Sequence, residues 1–277
     1  MKKRKRWWQA TLLMSLGMAV AGCTDGEPGG TRVPQAVVAS GYKEKLLGAQ
    51  EVVDRLSAEG IPMNRNKEGR YIRLNNIHPI VLELPNQETL YVYLYDSERS
   101  VKLARDDFAK HTKLQDTVRP IVYDVKNIMI LYAHRTTGDN PRRMTAYNDA
   151  IDQSIERLLG DEVQLKLSDS YNVGKLDMFL ESVHQGKADQ LKVTASTIEG
   201  DPIFTYGVWD GSKLVYVRDN SQDAYAGQDK GAVRFDCTGV EKVSEAIQEG
   251  GTVVRYNATG CSGPNATQPL ATVRSRS

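Results

Sequence analysis

The dipeptide Asp210–Gly211 separates two segments whose apolar residues alternate, I-F-T-Y-G-V-W at 203–209 and S-K-L-V-Y-V-R at 212–218. An Asp-Gly pair between alternating segments is a strong signal for a two-residue hairpin turn, because glycine readily adopts the positive φ that this turn requires. A third alternating segment, L-K-V-T-A-S-T-I at 191–198, lies upstream across an E-G-D-P turn. We therefore predict a three-stranded antiparallel meander.

The N-terminal half shows the same kind of strand pattern together with helical periodicity. Alternation and turn residues predict short, neighbouring strands, which pair antiparallel when the turns between them are short. Apolar spacing of three to four residues predicts the helices. The predicted strands are 70–74, 80–84, 89–95, 119–125 and 128–133, and the predicted helices begin near Leu46, at Asp96–Ser97 and near residue 142.

These patterns predict an α+β protein of two small domains, each an antiparallel sheet with helices on one face. The turn-rich segment R-T-T-G-D-N-P-R-R at 135–143 marks the boundary between them. We assign 42–135 to an N-terminal domain, 142–160 to a connecting helix, 161–262 to a C-terminal domain and 263–277 to a disordered tail.

The N-terminus carries the features of an export signal. A basic block, K-K-R-K-R, precedes 15 uncharged residues at 7–21, which are too few for a typical membrane span. The following Val20-Ala21-Gly22-Cys23 resembles the lipobox of bacterial lipoproteins. This resemblance implies cleavage before Cys23 and attachment of a lipid to its thiol. The alternatives are ordinary signal cleavage, which leaves a free thiol, and a buried N-terminal helix.

A lipidated Cys23 predicts where the protein resides. Residues 1–22 form the signal peptide, and the Gly- and Pro-rich segment 23–41 forms a flexible tether. Two acyl chains suffice for stable anchoring, so we expect the protein on the extracytoplasmic face of the cell membrane, with the membrane as its first partner.

Charge argues against nucleic acid as a partner. The first 22 residues hold five of the 36 Lys and Arg side chains and no Asp or Glu. The remaining chain therefore has 31 basic and 35 acidic side chains, a net charge of −4. It also lacks a concentrated basic stripe, so no nucleic-acid interface is predicted.

Two further cysteines, Cys237 and Cys261, remain once Cys23 is set aside. An exported protein can keep a disulfide, and closing a loop of this length contributes about 3 kcal/mol in the chain-entropy model. Their spacing does not fit a zinc site. We expect these two residues to form a disulfide; the alternative is a pair of reduced thiols.

Catalytic motifs are missing from the sequence. The four histidines form no recognised ligand pattern, and there is neither a G-x-S-x-G elbow nor a phosphate-binding loop. The best site candidate is the polar loop 219–231, whose oxygen ligands suit calcium but whose spacing is not that of an EF-hand. The alternative is a solvated turn. The candidate ligand or cation residues are Asp219, Asn220, Asp223 and Asp229, with Glu199 and Asp201 from a neighbouring turn.

Three tyrosines, Tyr91, Tyr93 and Tyr95, alternate along one predicted strand. If helices cover only the aliphatic face of the sheet, the tyrosines form an exposed interaction face, since tyrosine gives contact area at low entropic cost. The alternative is a second core face, covered by the helix at 142–159.

A longer resemblance covers 165–261. Its features are D-M-F-L-E-S-V-H-Q-G-K, the E-G-D-P-I turn, the D-N-S-Q-D-A-Y-A-G loop and the paired cysteines. Together they resemble an uncharacterised domain of lipoproteins from bacilli and their relatives. The resemblance implies a lipid-anchored protein facing outward from a Gram-positive cytoplasmic membrane, and it implies no activity.

We therefore expect an envelope protein that binds a ligand or a protein partner, and we predict no cofactor. The alternative is an envelope hydrolase that uses carboxylates near Glu199 and Asp201, because paired carboxylates at a suitable separation hydrolyse glycosides. A transporter's solute-binding lipoprotein fits less well, because the sequence lacks repeated β-α-β units.

Overall fold

A computed structural model describes residues 39–66, 71–112, 119–135, 145–167, 169–247 and 250–275. These residues belong to one compact unit. The predicted signal peptide, Cys23 and most of the predicted tether lie outside the described residues, as does most of the predicted boundary segment 135–143. Across the part of the chain that is described, no helix has the length and apolarity of a membrane span.

The described elements are four helices and fourteen strands. The helices are α1 (Ala49–Ala58), α2 (Glu98–Thr112), α3 (Asn148–Leu159) and α4 (Gly174–His184). The strands of the N-terminal half are β1 (Asn64–Asn66), β2 (Ile80–Glu83), β3 (Thr89–Leu94), β4 (Ile121–Val125) and β5 (Ile128–Ala133). Those of the C-terminal half are β6 (Glu162–Leu165), β7 (Ser170–Tyr171), β8 (Asp189–Ser196), β9 (Pro202–Trp209), β10 (Leu214–Asp219), β11 (Ala232–Cys237), β12 (Gly239–Ala246), β13 (Thr252–Thr259) and β14 (Thr267–Ser275).

The first sheet is antiparallel throughout, in the order β1-β2-β3-β5-β4. The expected antiparallel pairing of neighbouring strands is confirmed for the segments predicted at 80–84 and 89–95, and for those predicted at 119–125 and 128–133. The strand predicted at 70–74 is wrong: of its described residues, 71–74, only Leu74 forms a bridge, to Ile77, and β1 takes the edge of the sheet instead.

Helices cover both faces of the first sheet, which corrects the prediction of a single covered face. Helices α1 and α3 pack on the aliphatic face that includes Leu90 and Val92. Helix α2 packs on the opposite face. The strands alternate between two sets of large apolar side chains, so both faces need a cover to remove that surface from water.

The second sheet has the order β11-β10-β9-β8-β6-β7 and contains the predicted meander β8-β9-β10. The prediction of a purely antiparallel sheet is wrong, because β6 pairs parallel with β8. Helix α4 lies between β6 and β8 in the chain and returns it to the end of the sheet where β6 began, as a parallel pairing requires.

The turn of the meander is longer than predicted. It spans 210–213, between the paired residues Trp209 and Leu214. Asp210 Oδ1 accepts the backbone N–H groups of Ser212 and Lys213, each at 2.8 Å. Gly211 has φ +107°, and a Cβ there would lie 2.9 Å from the carbonyl oxygen of Gly186. This position therefore requires glycine for both backbone conformation and space.

The third sheet, β12-β13-β14, replaces the disordered tail predicted for 263–277. Strand β14 pairs along the whole of β13, and its Leu270 and Ala271 are 3% and 6% exposed. A few buried apolar side chains and a full hydrogen-bonded ladder order a segment whose composition is mostly polar.

The predicted disulfide is confirmed between Cys237 and Cys261. Cys237 ends β11 in the second sheet, and Cys261 follows β13 in the third. The bond therefore joins two sheets that share one apolar core.

Candidate functional site

A lysine side chain is buried in the second sheet. Lys192 lies on β8, and its side chain is 1% exposed. In the sheet register Lys192 faces Glu162 on β6 and Tyr206 on β9. An ammonium group removed from water in this way requires charged or hydrogen-bonding partners.

Three carboxylates surround the ammonium of Lys192. Glu98, the first residue of α2, makes the closest ion pair. Glu162 Oε2 and Glu44 Oε1 each lie 3.4 Å from Lys192 Nζ. The Nζ atom also lies 5.3 Å from the centroid of the Phe204 ring. We call Lys192, Glu44, Glu98 and Glu162 the lysine–carboxylate cluster.

The segment before α1 positions Glu44 in this cluster. Tyr42 Oη donates to Asp161 Oδ1 at 2.8 Å, and the Tyr42 ring packs against that of Tyr206. Lys43 exchanges two hydrogen bonds with the side chain of Gln190, at 3.0 and 3.1 Å. These contacts hold the two residues that precede Glu44 against the second sheet.

Burial and crowding of negative charge change the ionisation of the cluster. Burial, followed by repulsion from Glu162, raises the pKa of Glu98 to about 8. Burial lowers the pKa of Lys192, but the nearby carboxylates of Glu162 and Glu98 outweigh it and hold that pKa well above its usual value. Lys192 therefore stays an ammonium group, which has no lone pair for nucleophilic attack.

A cleft of about 450 Å³ opens beside the cluster, between α2 and the strands β6, β8 and β9. Glu98 and Glu162 line it together with Thr194 and Phe204. Thr194 Oγ1 donates to Glu162 Oε1 at 3.0 Å, which orients that carboxylate. The cleft has the size of a small-molecule site.

Gln164 contributes an unpaired acceptor to the cleft. Its side chain is on the same face of β6 as Glu162, since the intervening Val163 belongs to the core on the other face. Gln164 is 5% exposed, and among the described residues its Oε1 atom has no hydrogen-bond partner. A buried carbonyl oxygen left in this state costs about 1–3 kcal/mol, a cost that a ligand with a hydrogen-bond donor removes.

The cations that line the cleft each have a partner. Lys102 pairs with Asp201, and Arg105 pairs with Asp124. Lys126 Nζ lies 4.0 Å from Asp161, which is outside the cleft lining. Lys166 Nζ lies 5.9 Å from the centroid of the Tyr171 ring.

The candidate residues of the polar loop have local hydrogen bonds in the structure. Asp219 Oδ1 accepts from Ser221 N, Asn220 Oδ1 from Gly231 N, and Asp223 Oδ1 from Tyr225 N, at 2.7–2.8 Å. The side chain of Asp229 lies outside the described part of the structure. Among the described residues, no group of three or more His, Cys, Asp or Glu is placed to hold a metal ion.

The two predicted carboxylates of the neighbouring turn both line the cleft. Asp201 Oδ2 accepts from Ala224 N at 2.9 Å, and its other oxygen contacts Lys102. The Lys102 ammonium, with help from the Ala224 N–H, lowers the pKa of Asp201. Glu199 is exposed at the edge of the cleft.

The predicted tyrosine interaction face is wrong. Tyr93 and Tyr95 are 1% and 8% exposed, and Tyr91 is half-buried. Their rings form a second core face, but α2 covers it rather than the helix at 148–159. Tyr93 Oη donates to the carbonyl oxygen of Ile72 at 2.7 Å, which satisfies its polar end.

Sequence reasoning did not find the cluster. Lys192 and Thr194 alternate with core residues on β8, which normally indicates a solvated strand face. The available signal was a matching polar alternation, Glu162 and Gln164, on a neighbouring strand. The distant Glu98 gave no local signal.

Comparison with known proteins identifies part of the chain. Residues 160–250 match a family described as a domain of unknown function (DUF4362). That segment is a DUF4362 domain. No curated protein and no solved structure matches the chain significantly.

The DUF4362 segment contains only part of the cluster. It supplies Lys192 and Glu162, together with Gln164 at the cleft. Glu98 and Glu44 come from residues before it. The site is therefore built jointly by the DUF4362 domain and the N-terminal half.

Proposed function

We propose that this protein is a lipid-anchored binding protein of the bacterial envelope that takes a small polar ligand in the cleft. The unpaired Gln164 Oε1, buried in the wall of a 450 Å³ cleft, is the observation that carries the binding function. The lipid anchor at Cys23 and the membership of a lipoprotein family of bacilli are proposed from the sequence features alone.

The cleft walls support binding because they combine polar and apolar groups. Glu98, Glu162 and Gln164 offer acceptor oxygens, while Val101 and Phe204 offer apolar surface. Ligand sites typically place a few polar groups among apolar ones in this way, so that the polar groups orient the ligand.

The geometry gives less support to the alternative, a hydrolase that uses Glu199 and Asp201. A glycosidase needs a carboxyl group that stays protonated near neutral pH to act as a general acid. The pKa of Asp201 is lowered by its contact with Lys102, which keeps it ionised. Lys192 does not supply a nucleophile either, because its side chain remains an ammonium group, which has no lone pair.

The experiment that tests binding is native mass spectrometry of the protein extracted from its own membrane. We expect a bound small molecule in the wild type and its loss when tryptophan fills the cleft from either wall, in Ser196→Trp on β8 or Ala109→Trp on α2. Val243→Trp on β12 is the matched control, because Val243 is exposed and outside the cleft lining.

Circular dichroism checks that each variant folds. Two results would contradict the proposal: a wild-type protein that carries no ligand, and a ligand that folded Ser196→Trp and Ala109→Trp both retain.

A further inference from the structure

We infer that the ligand carries a protonated primary amine, whose N–H groups bind Gln164 Oε1 and the carboxylates of Glu98 and Glu162. This inference rests on the proposed binding function and adds the chemical class of the ligand.

The first argument is the balance of charge. The lysine–carboxylate cluster holds one ammonium group against the carboxylates of Glu44 and Glu162 and the carboxyl group of Glu98, whose pKa is raised to about 8. The cations of the cleft lining also have partners: Lys102, Arg105 and Lys126 pair with Asp201, Asp124 and Asp161, and Lys166 Nζ lies 5.9 Å from the centroid of the Tyr171 ring. A second cation beside Glu98 and Glu162 therefore offsets negative charge that the protein's own cations leave uncompensated.

The second argument is the unpaired acceptor. Gln164 Oε1 accepts hydrogen bonds but carries no charge, so it selects for an N–H or O–H donor. Asp124 lines the same cleft, and its Oδ1 atom is also buried with no partner in the part of the chain that the structure describes. A quaternary ammonium group has no N–H and leaves both atoms unsatisfied, whereas a primary ammonium group has three donors.

The third argument is the apolar part of the wall. Val101 and Phe204 line the cleft together with Glu98 and Glu162, and so does Pro202, the first residue of the strand that carries Phe204. Such a surface accommodates the carbon skeleton that bears the amine, as apolar walls do in small-molecule sites. Both an aliphatic amine and an amino sugar have this combination of parts.

The test is isothermal titration calorimetry with amines and their uncharged counterparts. The pairs are 1,5-diaminopentane with 1,5-pentanediol, and glucosamine with N-acetylglucosamine; choline represents quaternary ammonium compounds. We expect at least one primary amine to bind, with an affinity about tenfold or more above that of its uncharged counterpart and of choline. Binding of 1,5-diaminopentane would indicate an aliphatic amine as the ligand, and binding of glucosamine would indicate an amino sugar.

Variants connect binding to the named atoms. Gln164→Leu removes an acceptor that makes no internal hydrogen bond, so we expect folding to be retained and amine affinity to fall about tenfold. Glu181→Gln, on the exposed side of α4, is the matched control and leaves affinity unchanged. Titration in buffers of different ionisation enthalpy near pH 7 should also detect protons released on binding, a signal that Glu98→Gln removes.

The outcomes separate the two proposals. If an uncharged probe binds as well as its amine counterpart and Ser196→Trp blocks both, the cleft is a binding site but the amine inference is wrong. The same conclusion follows if the ligand extracted with the native protein has no amine, or if Gln164→Leu leaves amine affinity unchanged. If neither probes nor an extracted ligand bind, both proposals are wrong.

Discussion

The hydroxyl group of Tyr42 donates a 2.8 Å hydrogen bond to Asp161, a residue 119 positions later in the chain. Asp161 directly precedes Glu162, and Tyr42 lies two residues before Glu44. One hydrogen bond thus brings together the segments that supply two of the three carboxylates around Lys192.

Replacing Lys192 with methionine should lower the free energy of unfolding by about 3–5 kcal/mol, because the change leaves buried Glu162 without its cation. Urea denaturation followed by circular dichroism measures the loss. Lys213→Met is the control: its side chain is 51% exposed in a pair with Asp236, so we expect a loss below about 1 kcal/mol. Equal losses in the two variants would show that Lys192 is not holding the cluster together.

The raised pKa of Glu98 predicts a pH dependence of stability. The folded protein holds the Glu98 proton up to about pH 8, whereas the unfolded chain releases it near pH 4.5. This group therefore stabilises the fold fully below pH 4.5, and that contribution is lost as pH rises to about 8. Glu98→Gln should remove this part of the slope in urea midpoints measured from pH 5 to 8, whereas Glu181→Gln should keep it. An unchanged slope in Glu98→Gln contradicts the assignment.

Loss of the disulfide should destabilise the protein by about 3 kcal/mol, because Cys237 and Cys261 are 24 residues apart and their bond restricts the unfolded chain. The double variant Cys237→Ala/Cys261→Ala, compared with wild type in urea, measures this loss. Adding dithiothreitol should destabilise the wild type and leave the double variant unaffected. A double variant as stable as the wild type refutes the prediction.

Gly211→Ala should destabilise the protein more than Gly200→Ala. Both residues have positive φ, +107° and +90°, so both substitutions strain the backbone. Only at Gly211 does a Cβ also approach another backbone atom, the Gly186 oxygen at 2.9 Å. We expect about 1 kcal/mol or more of additional loss, measured by thermal unfolding. Equal melting temperatures would mean that the neighbouring turn shifts without cost.

Cys23→Ser should release the protein from the membrane fraction. The proposed lipid attachment requires the Cys23 thiol, which serine lacks. Cell fractionation with immunoblotting measures the distribution, and the Cys237→Ala/Cys261→Ala variant is the control that should remain membrane-bound. Continued membrane association of Cys23→Ser would place the anchor elsewhere in the chain.

Local patterns predicted the hairpins but not the way the sheets are covered. The alternation in β3 separates Leu90 and Val92 from Tyr93 correctly, because side-chain direction follows from strand geometry. Which helix covers which face depends on contacts between distant segments, and α2 covers the tyrosine face that a local reading left open. Strand β14 was missed for a related reason, since its order comes from pairing with β13.

The site was less predictable than the fold. Polar residues such as Lys192 and Gln164 on a strand normally indicate a face in water. Here they are buried, because Glu98 at the start of α2 and the segment with Glu44 lie against that face. Nothing in the sequence around Lys192 encodes these partners, which are 94 and 148 residues away.

The lysine–carboxylate cluster is shared between the DUF4362 domain and the sequence before it, and this has a consequence for ligand selectivity. The DUF4362 domain, residues 160–250, contains the Lys192 ammonium group and one of the three acidic side chains around it, that of Glu162. The other two belong to the sequence that precedes the domain. If the cleft binds a ligand as proposed, the segment that supplies Glu44 and Glu98 helps to determine its selectivity, and the DUF4362 domain does not set it alone.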